Sequence, residues 1–426
     1  MRGTFAGARG CSQRGNLGAP DRRWPSPLSV TSLSCRLPIA PGAPCYVLRV
    51  PARVLAAAAL MFSLARAHAV GAQELGGDAT DDPPEKSKGS SHNLAFTIVP
   101  GPTYNPSLGW GLMVIPLAMY DVDPEDKVSP GSTTGLFGLA TTNGSWAAGF
   151  QQKLYLAQDT WRLKAMAGVV SVNQRFYGYG GNPGSNFINM TMEAGFATAE
   201  GLYKVLPGAY AGLQLAYRQS RFLGQGSNAS AILEAAGINQ TWVRNFLPAL
   251  RFDYDTRDSQ TAPWSGLLTE FTFKGASEAL GSSNSYTRIS VIYSQFHALD
   301  APKHHVLAWN VNVQGGFGDV PFDEYPDVGG HKGLRGYLRG QFTDKNMVTA
   351  QAEWRWGFWH RMGTVLFAGV GKVFPAWDDI RAAELLPSVG FGLRFDAIPE
   401  RRMHARLDFA WGKEGGTVYF SVGEAF

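Results

Sequence analysis

Hydrophobic and polar positions alternate with a period of two through most of the chain after residue 93. In 348–356, Val348, Ala350, Ala352, Trp354 and Trp356 share one face, while Thr349, Gln351, Glu353 and Arg355 share the other. Successive strand side chains point to opposite faces, so this is a strand with an apolar side and a charged side. Leu250, Phe252 and Tyr254 oppose Arg251, Asp253 and Asp255, and Val389, Phe391, Leu393 and Phe395 oppose Arg394 and Asp396. Leu407, Phe409 and Trp411 oppose Arg406 and Asp408. The pattern predicts sixteen strands, at 94–99, 109–121, 133–142, 146–157, 161–176, 187–199, 209–223, 247–256, 267–276, 286–298, 305–315, 347–357, 363–373, 387–397, 404–412 and 417–426. Others, such as 286–298 and 363–373, alternate poorly. Most are near the ~9–11 residues that a tilted strand needs to cross a bilayer.

What opposes the apolar face decides the fold class. A soluble sandwich sets apolar side chains against each other and leaves charge outside. Here Arg, Asp, Glu and Lys recur on the face that a closed sheet turns inward, which is the inversion expected of a membrane barrel. Closure also removes the edges that so wide a sheet would expose. The expectation is an all-β protein, a closed antiparallel transmembrane β-barrel of about sixteen strands. With both ends of the barrel in the periplasm, the two longest gaps, 224–246 and 316–346, follow odd-numbered strands and face the exterior. The gaps 158–160, 358–362 and 398–403 become short periplasmic turns, with 122–132 a mild exception.

Composition agrees with this. The 426 residues include 51 glycines, with 12% aromatic and only 17% charged residues, a balance that suits a turn-rich β-protein with a lipid-facing surface. No uninterrupted apolar run after residue 72 reaches the ~18 residues of a spanning helix. Cys11, Cys35 and Cys45 all precede the strands, which excludes a disulfide framework and thiol chemistry from the main body. Residues 1–72 hold nine Arg, no Lys and one acid, Asp21, so +8 of the formal net +4 lies there and −4 is left for the rest. The basic pI therefore does not mark a nucleic-acid surface. Arg49 and Arg53 precede the apolar run Val54–Leu64 and the small-residue end Ala67-His68-Ala69, the build of a secretory signal peptide. Residues 1–72 are read as a removed extension plus signal peptide, 73–93 as a disordered periplasmic tether, and 94–426 as the barrel.

The gap before 347–357 carries Gly333-Leu334-Arg335-Gly336-Tyr337. An arginine folded into a lumen requires a carboxylate, because a buried unpaired guanidinium is strongly unfavourable. Glu353 points inward and is the expected chief partner, with Asp344 nearer the mouth as a second; the bland reading is a solvated loop arginine. Asp255, Arg257 and Asp258 are read as a turn network at the periplasmic rim rather than an active site. No metalloprotease, nucleophile-elbow or phosphate-loop motif occurs, so neither enzyme activity, cofactor nor metal is expected.

GLRGY at Gly333–Tyr337, Asp255-Thr256-Arg257-Asp258 followed by Pro263 and Gly266, Gly390–Phe395 and the ending Val418–Phe426 together resemble the barrel domain of the BamA/TamA outer-membrane assembly superfamily, also called the bacterial surface antigen family. The resemblance implies a Gly-rich loop folded back into the lumen and a C-terminal assembly signal at Phe420, Val422 and Phe426 on the lipid side of the last strand. It also implies a bacterial outer-membrane location among lipid, with the membrane's assembly machinery inserting the barrel and periplasmic proteins as partners. Two departures stand out. The tether is too short for a periplasmic POTRA domain, and the family's inward Asp in F-x-D is Gly369 here. The implied function is assistance in the insertion or passage of protein or lipid, on the pattern of the short, POTRA-less branch. The alternative is a passive diffusion channel with 316–346 as its constriction, and a hydrolase is disfavoured.

Overall fold

The structure, a computed structural model, describes residues 94–105, 108–180, 187–238, 240–301, 304–330, 333–398 and 402–426. The expected extension, signal peptide and tether lie outside the described residues.

Sixteen antiparallel strands follow one another: β1 (Leu94–Asn105), β2 (Gly109–Tyr120), β3 (Ser132–Thr141), β4 (Trp146–Leu156), β5 (Trp161–Phe176), β6 (Ile188–Leu206), β7 (Ala209–Gly224) and β8 (Val243–Asp255). The second half comprises β9 (Gly266–Ala276), β10 (Tyr286–Ala298), β11 (His305–Gly318), β12 (Asn346–Trp359), β13 (Met362–Phe374), β14 (Leu386–Ile398), β15 (Met403–Gly412) and β16 (Gly415–Val422). Each pairs with its neighbours in sequence, and β1 closes the barrel on β16. The seam is narrow. Among the described residues its register is Tyr104 opposite Phe420, whereas β1 and β2 pair from Leu94↔Tyr120 to Asn105↔Gly109.

The faces sort as the period-two pattern demands. On β12, Thr349, Gln351, Glu353 and Arg355 are buried, while Trp356 on the other face is exposed. Leu136, Leu213, Leu250, Val389 and Trp411 also stand exposed around the outside. In water such a belt would be costly; against lipid it is the expected surface. β5, β6 and β7, at 16, 19 and 16 residues, exceed the ~9–11 a bilayer crossing requires. Their long-loop ends carry an apolar cluster of Phe176, Met190, Phe222, Leu233 and Ile238. Within it Leu233 belongs to a short helix, α1 (Ala229–Ala235), in the gap predicted only as a loop.

Two local expectations need correction. β1 runs to Asn105, not to 99, and takes in Pro100 and Pro102; a strand at a seam tolerates missing N–H donors. The chain end also differs. β16 stops at Val422, and Gly423, with φ +86° and its N–H bonded to the His404 carbonyl at 2.7 Å, turns the last residues inward. Phe426 therefore does not face lipid. Its ring lies 6.3 Å from that of the buried Phe296, and the Arg355 guanidinium sits 5.5 Å from its centroid.

Candidate functional site: a loop pinned inside the barrel

The segment between β11 and β12 enters the lumen and is held there by three kinds of contact. The first is apolar: Val328, Leu334, Tyr337 and Phe342 of the loop bury against Met347, Val373 and Leu386 of the wall. Leu334 occupies the space that Gly369 and Gly371 leave, since a Cβ on Gly369 would lie 2.6 Å from the Leu334 Cδ1. Gly369 thus makes room for the loop's leucine. Gly336 has φ +101°, and a Cβ there would lie 2.7 Å from the Gly412 nitrogen, so the loop backbone meets β15 at a distance only glycine allows.

The second contact is a set of hydrogen bonds around Tyr337. Its hydroxyl donates to the Pro387 carbonyl at 2.6 Å and accepts from the Lys413 N–H at 3.2 Å. Tyr419 reaches in from β16, donating to the Tyr337 carbonyl at 2.9 Å and accepting from the Gly336 N–H at 3.3 Å. The Ser388 hydroxyl donates to the Arg335 carbonyl.

The third is ionic. Arg335 is fully buried. Its guanidinium donates to Glu353 Oε1 and, at 3.2 Å, to Asp408 Oδ2, and it stacks 3.5 Å over the Phe367 ring. From these two acids the pairing spreads along the wall. Arg355 Nε meets Glu353 at 2.8 Å, Arg394 Nη1 meets Asp408 at 2.6 Å, and Arg406 lies 3.7 Å from Asp408. Arg394 Nε reaches Glu424 at 2.9 Å, and Glu424 in turn meets His404 Nδ1 at 2.6 Å. Four arginines thus face three carboxylates in the buried interior. Glu353 and Asp408 are each shared between arginines, an arrangement that lessens the desolvation cost of an isolated buried pair.

Of the residues singled out from sequence, Gly333, Leu334, Arg335, Gly336, Tyr337 and Glu353 come together. Asp344 does not. Thr343 is instead drawn to the loop after β5 by an antiparallel bridge with Gly180, with Gly180 N–H to Thr343 carbonyl at 2.9 Å, and Asp344 Oδ1 accepts the Lys345 N–H at 2.7 Å. Asp408 takes the place expected of it. Asp408 stands on the inward face of a cleanly alternating strand, but its distance along the chain hides that β15 meets the loop tip. The contacts of Phe367, Ser388 and Tyr419 with the loop were not foreseen; for Phe367, an inward aromatic on the poorly alternating 363–373 was the available signal.

The same loop is moored on the opposite wall. Arg218 on β7 pairs with Asp323 at 3.0 Å and Glu324 at 3.3 Å, Lys274 on β9 reaches Glu324 at 2.6 Å, and the Ser220 hydroxyl donates to Asp323 at 2.7 Å. Burial raises the Glu324 carboxyl, but Lys274 and Arg218 outweigh it and hold the group below its ordinary range. Asp327 shows the reverse balance: burial pushes it up to about 6, against the Gly329 and Gly340 N–H groups that it accepts at 2.9 and 2.6 Å.

At the short-turn rim, Arg257 grips Asp255 through two bonds of 2.9 and 3.0 Å. Asp258 Oδ1 accepts the Trp264 and Ser265 N–H groups at 2.9 and 3.2 Å, and its Oδ2 accepts Arg402 Nη1 at 2.9 Å. Arg402 also covers the Trp264 ring at 3.5 Å. The turn after β8 is therefore tied to the turn after β14. Phe420 lies on the seam opposite Tyr104; the Val422 side chain lies outside the described residues.

An apolar outer belt, an ionic interior and a loop fixed across the lumen define an integral outer-membrane β-barrel. Residues 145–426 match the model described as the Omp85 superfamily domain, and the chain belongs to that superfamily. Among solved structures it is similar to BamA from Haemophilus ducreyi lacking POTRA domains 1–3, at 15% identity and TM-score 0.54 over 78% of this chain and 70% of that one. It is similar also to CdiB from Acinetobacter baumannii (10%, TM-score 0.51, 78% and 60%) and CdiB from Escherichia coli (9%, TM-score 0.55, 79% and 63%). The chain thus spans less than two thirds of either CdiB. At these identities the likeness is one of fold. No curated protein matches.

Proposed function

We propose that this barrel assists the insertion or passage of protein or lipid at the outer membrane, is not an enzyme, and receives its clients from separate periplasmic proteins. The observation that carries the reading is the seam. β1 contains two prolines and meets β16 in the described register through Tyr104 and Phe420, so the strand edges there are weakly committed to each other. An uncommitted edge offers backbone donors and acceptors to an incoming strand, the physical basis of β-augmentation. The docked loop supports the reading as well, since a filled lumen suits a gate at the wall better than a permanent hole.

The test is a seam lock. The described barrel contains no native cysteine, so Tyr104→Cys with Phe420→Cys gives one pair. Oxidised protein in liposomes is expected to lose insertion of a client barrel and regain it on reduction. Full activity of the locked form would overturn the proposal. Large, steady single-channel currents without insertion activity would favour the diffusion channel instead.

A further inference from the structure

Arg288 on β10 is 5% exposed, and among the described residues no carboxylate lies within 4.0 Å of it. The other deeply buried arginines, Arg335, Arg355, Arg394 and Arg406, each have one. Its one hydrogen bond runs from Nη2 to Gln314 Oε1 at 2.8 Å, and Nη1 meets no acceptor. In register it stands directly opposite Lys274, and like charges placed so repel. Both line a luminal cavity of about 310 Å³ with Arg218, Arg251, Asp323 and Glu324.

The charges around this cavity are unequally spent. Arg251 belongs to a lower group, pairing with Asp253, Glu270 and Glu200 at 3.1, 3.4 and 3.3 Å. Asp323 and Glu324 are taken by Arg218 and Lys274. The three cations Arg218, Lys274 and Arg288 thus face two acids, leaving one positive charge over. Donors are in still greater surplus: two guanidiniums and an ammonium carry many more N–H groups than two carboxylates accept. A group that answers them needs several oxygens around one centre, which a tetrahedral oxyanion has and a further carboxylate lacks. The volume holds such an ion and several waters of ~30 Å³ each.

We propose that this cavity is a binding site for a phosphate-type oxyanion, either free phosphate or the phosphate of a lipid headgroup. The anion would sit between Arg288 and Lys274 and screen their repulsion. It would also bridge β9 and β10 to the moored end of the loop at Asp323–Glu324. The site does not depend on the assembly reading; a barrel without insertion activity would still bind phosphate here.

The test is calorimetry on the full-length barrel folded in detergent at low ionic strength, titrated with inorganic phosphate, glycerol 3-phosphate and acetate. A saturable phosphate signal is expected, weakened roughly tenfold or more in Arg288→Gln, since a hydrogen bond to a charged group is worth about 1.5–3 kcal/mol. The tighter of the two phosphates names the source. Lys274→Gln is the second variant, expected to weaken binding similarly should Arg288→Gln fail to fold. No saturable binding, equal affinity in wild type and folded variants, or acetate binding as well as phosphate, would each overturn the assignment.

Discussion

Replacing Arg335 by glutamate is expected to unseat the loop tip, 333–337, whereas replacing it by methionine is not. The difference follows from what each change leaves behind. Methionine removes one cation from four arginines facing three acids, so Glu353 keeps Arg355 and Asp408 keeps Arg394 and Arg406. Breaking a buried pair costs about 3–5 kcal/mol, and the surviving pairs favour the low end. Glutamate adds repulsion: a third carboxylate ~4 Å from each of two others meets about 4 kcal/mol apiece at an effective dielectric constant near 20. At the loop tip, 333–337, the holding forces local to Arg335 are the buried Leu334 and Tyr337 side chains, about 2 kcal/mol each. The bonds around Tyr337 and from Ser388 add about 1 kcal/mol each. The methionine loss falls below that sum and the glutamate penalty exceeds it. In planar bilayers, Arg335→Glu should show raised or unstable single-channel conductance while Arg335→Met stays near wild type. Unchanged conductance in Arg335→Glu, or equal opening by both variants, would refute the reasoning.

Other consequences are smaller or more local. Tyr337→Phe deletes the bonds to Pro387 and Lys413 and should lower unfolding free energy by about 1–3 kcal/mol in urea titration; an unchanged midpoint would argue against a seated hydroxyl. Gly336→Ala places a Cβ against the β15 backbone at a positive φ, so it should cost more than Tyr337→Phe and raise conductance without abolishing the heat-modifiable folded band. Asp327, with its folded pKa raised to about 6 from 3.8, binds its proton more tightly folded than unfolded. Its contribution is therefore fully present below pH ~4 and lost as pH rises through about 6, to the extent of at most about 3 kcal/mol. Asp327→Asn should flatten that part of the profile of thermal midpoint against pH, and an identical slope would refute it. Asp258→Asn breaks a half-exposed pair with Arg402 and should cost less than about 1 kcal/mol, seen as a shift of at most a few degrees in melting.

The strands that alternated cleanly, such as β12 and β14, were legible because one face meets lipid and the other meets charge. β13 was not, and the structure says why. Its inward Val365, Phe367 and Val373 are apolar because Val373 packs against the loop, Phe367 lies under Arg335, and Val365 packs with Ala410 and Tyr419, while Leu366 and Val370 face outward. Both faces are then greasy and the period fades. β10 fades for a related reason: Phe296 packs inward against Phe426. Loss of alternation in an otherwise alternating barrel was itself a sign of where the lumen is filled.

From the order of residues alone came the barrel, its lipid-facing belt, the Gly-rich loop and the pairing of Arg335 with Glu353, since each depends on period, composition or the near chain. Closure decided the rest. Asp408 reaching Arg335 across 73 residues, Glu324 on Lys274 across 50 and Asp258 on Arg402 across 144 are meetings set by the strand count and stagger of the whole ring. No local pattern encodes which far strand a luminal side chain will face, because that distance is fixed only once the sheet has closed on itself.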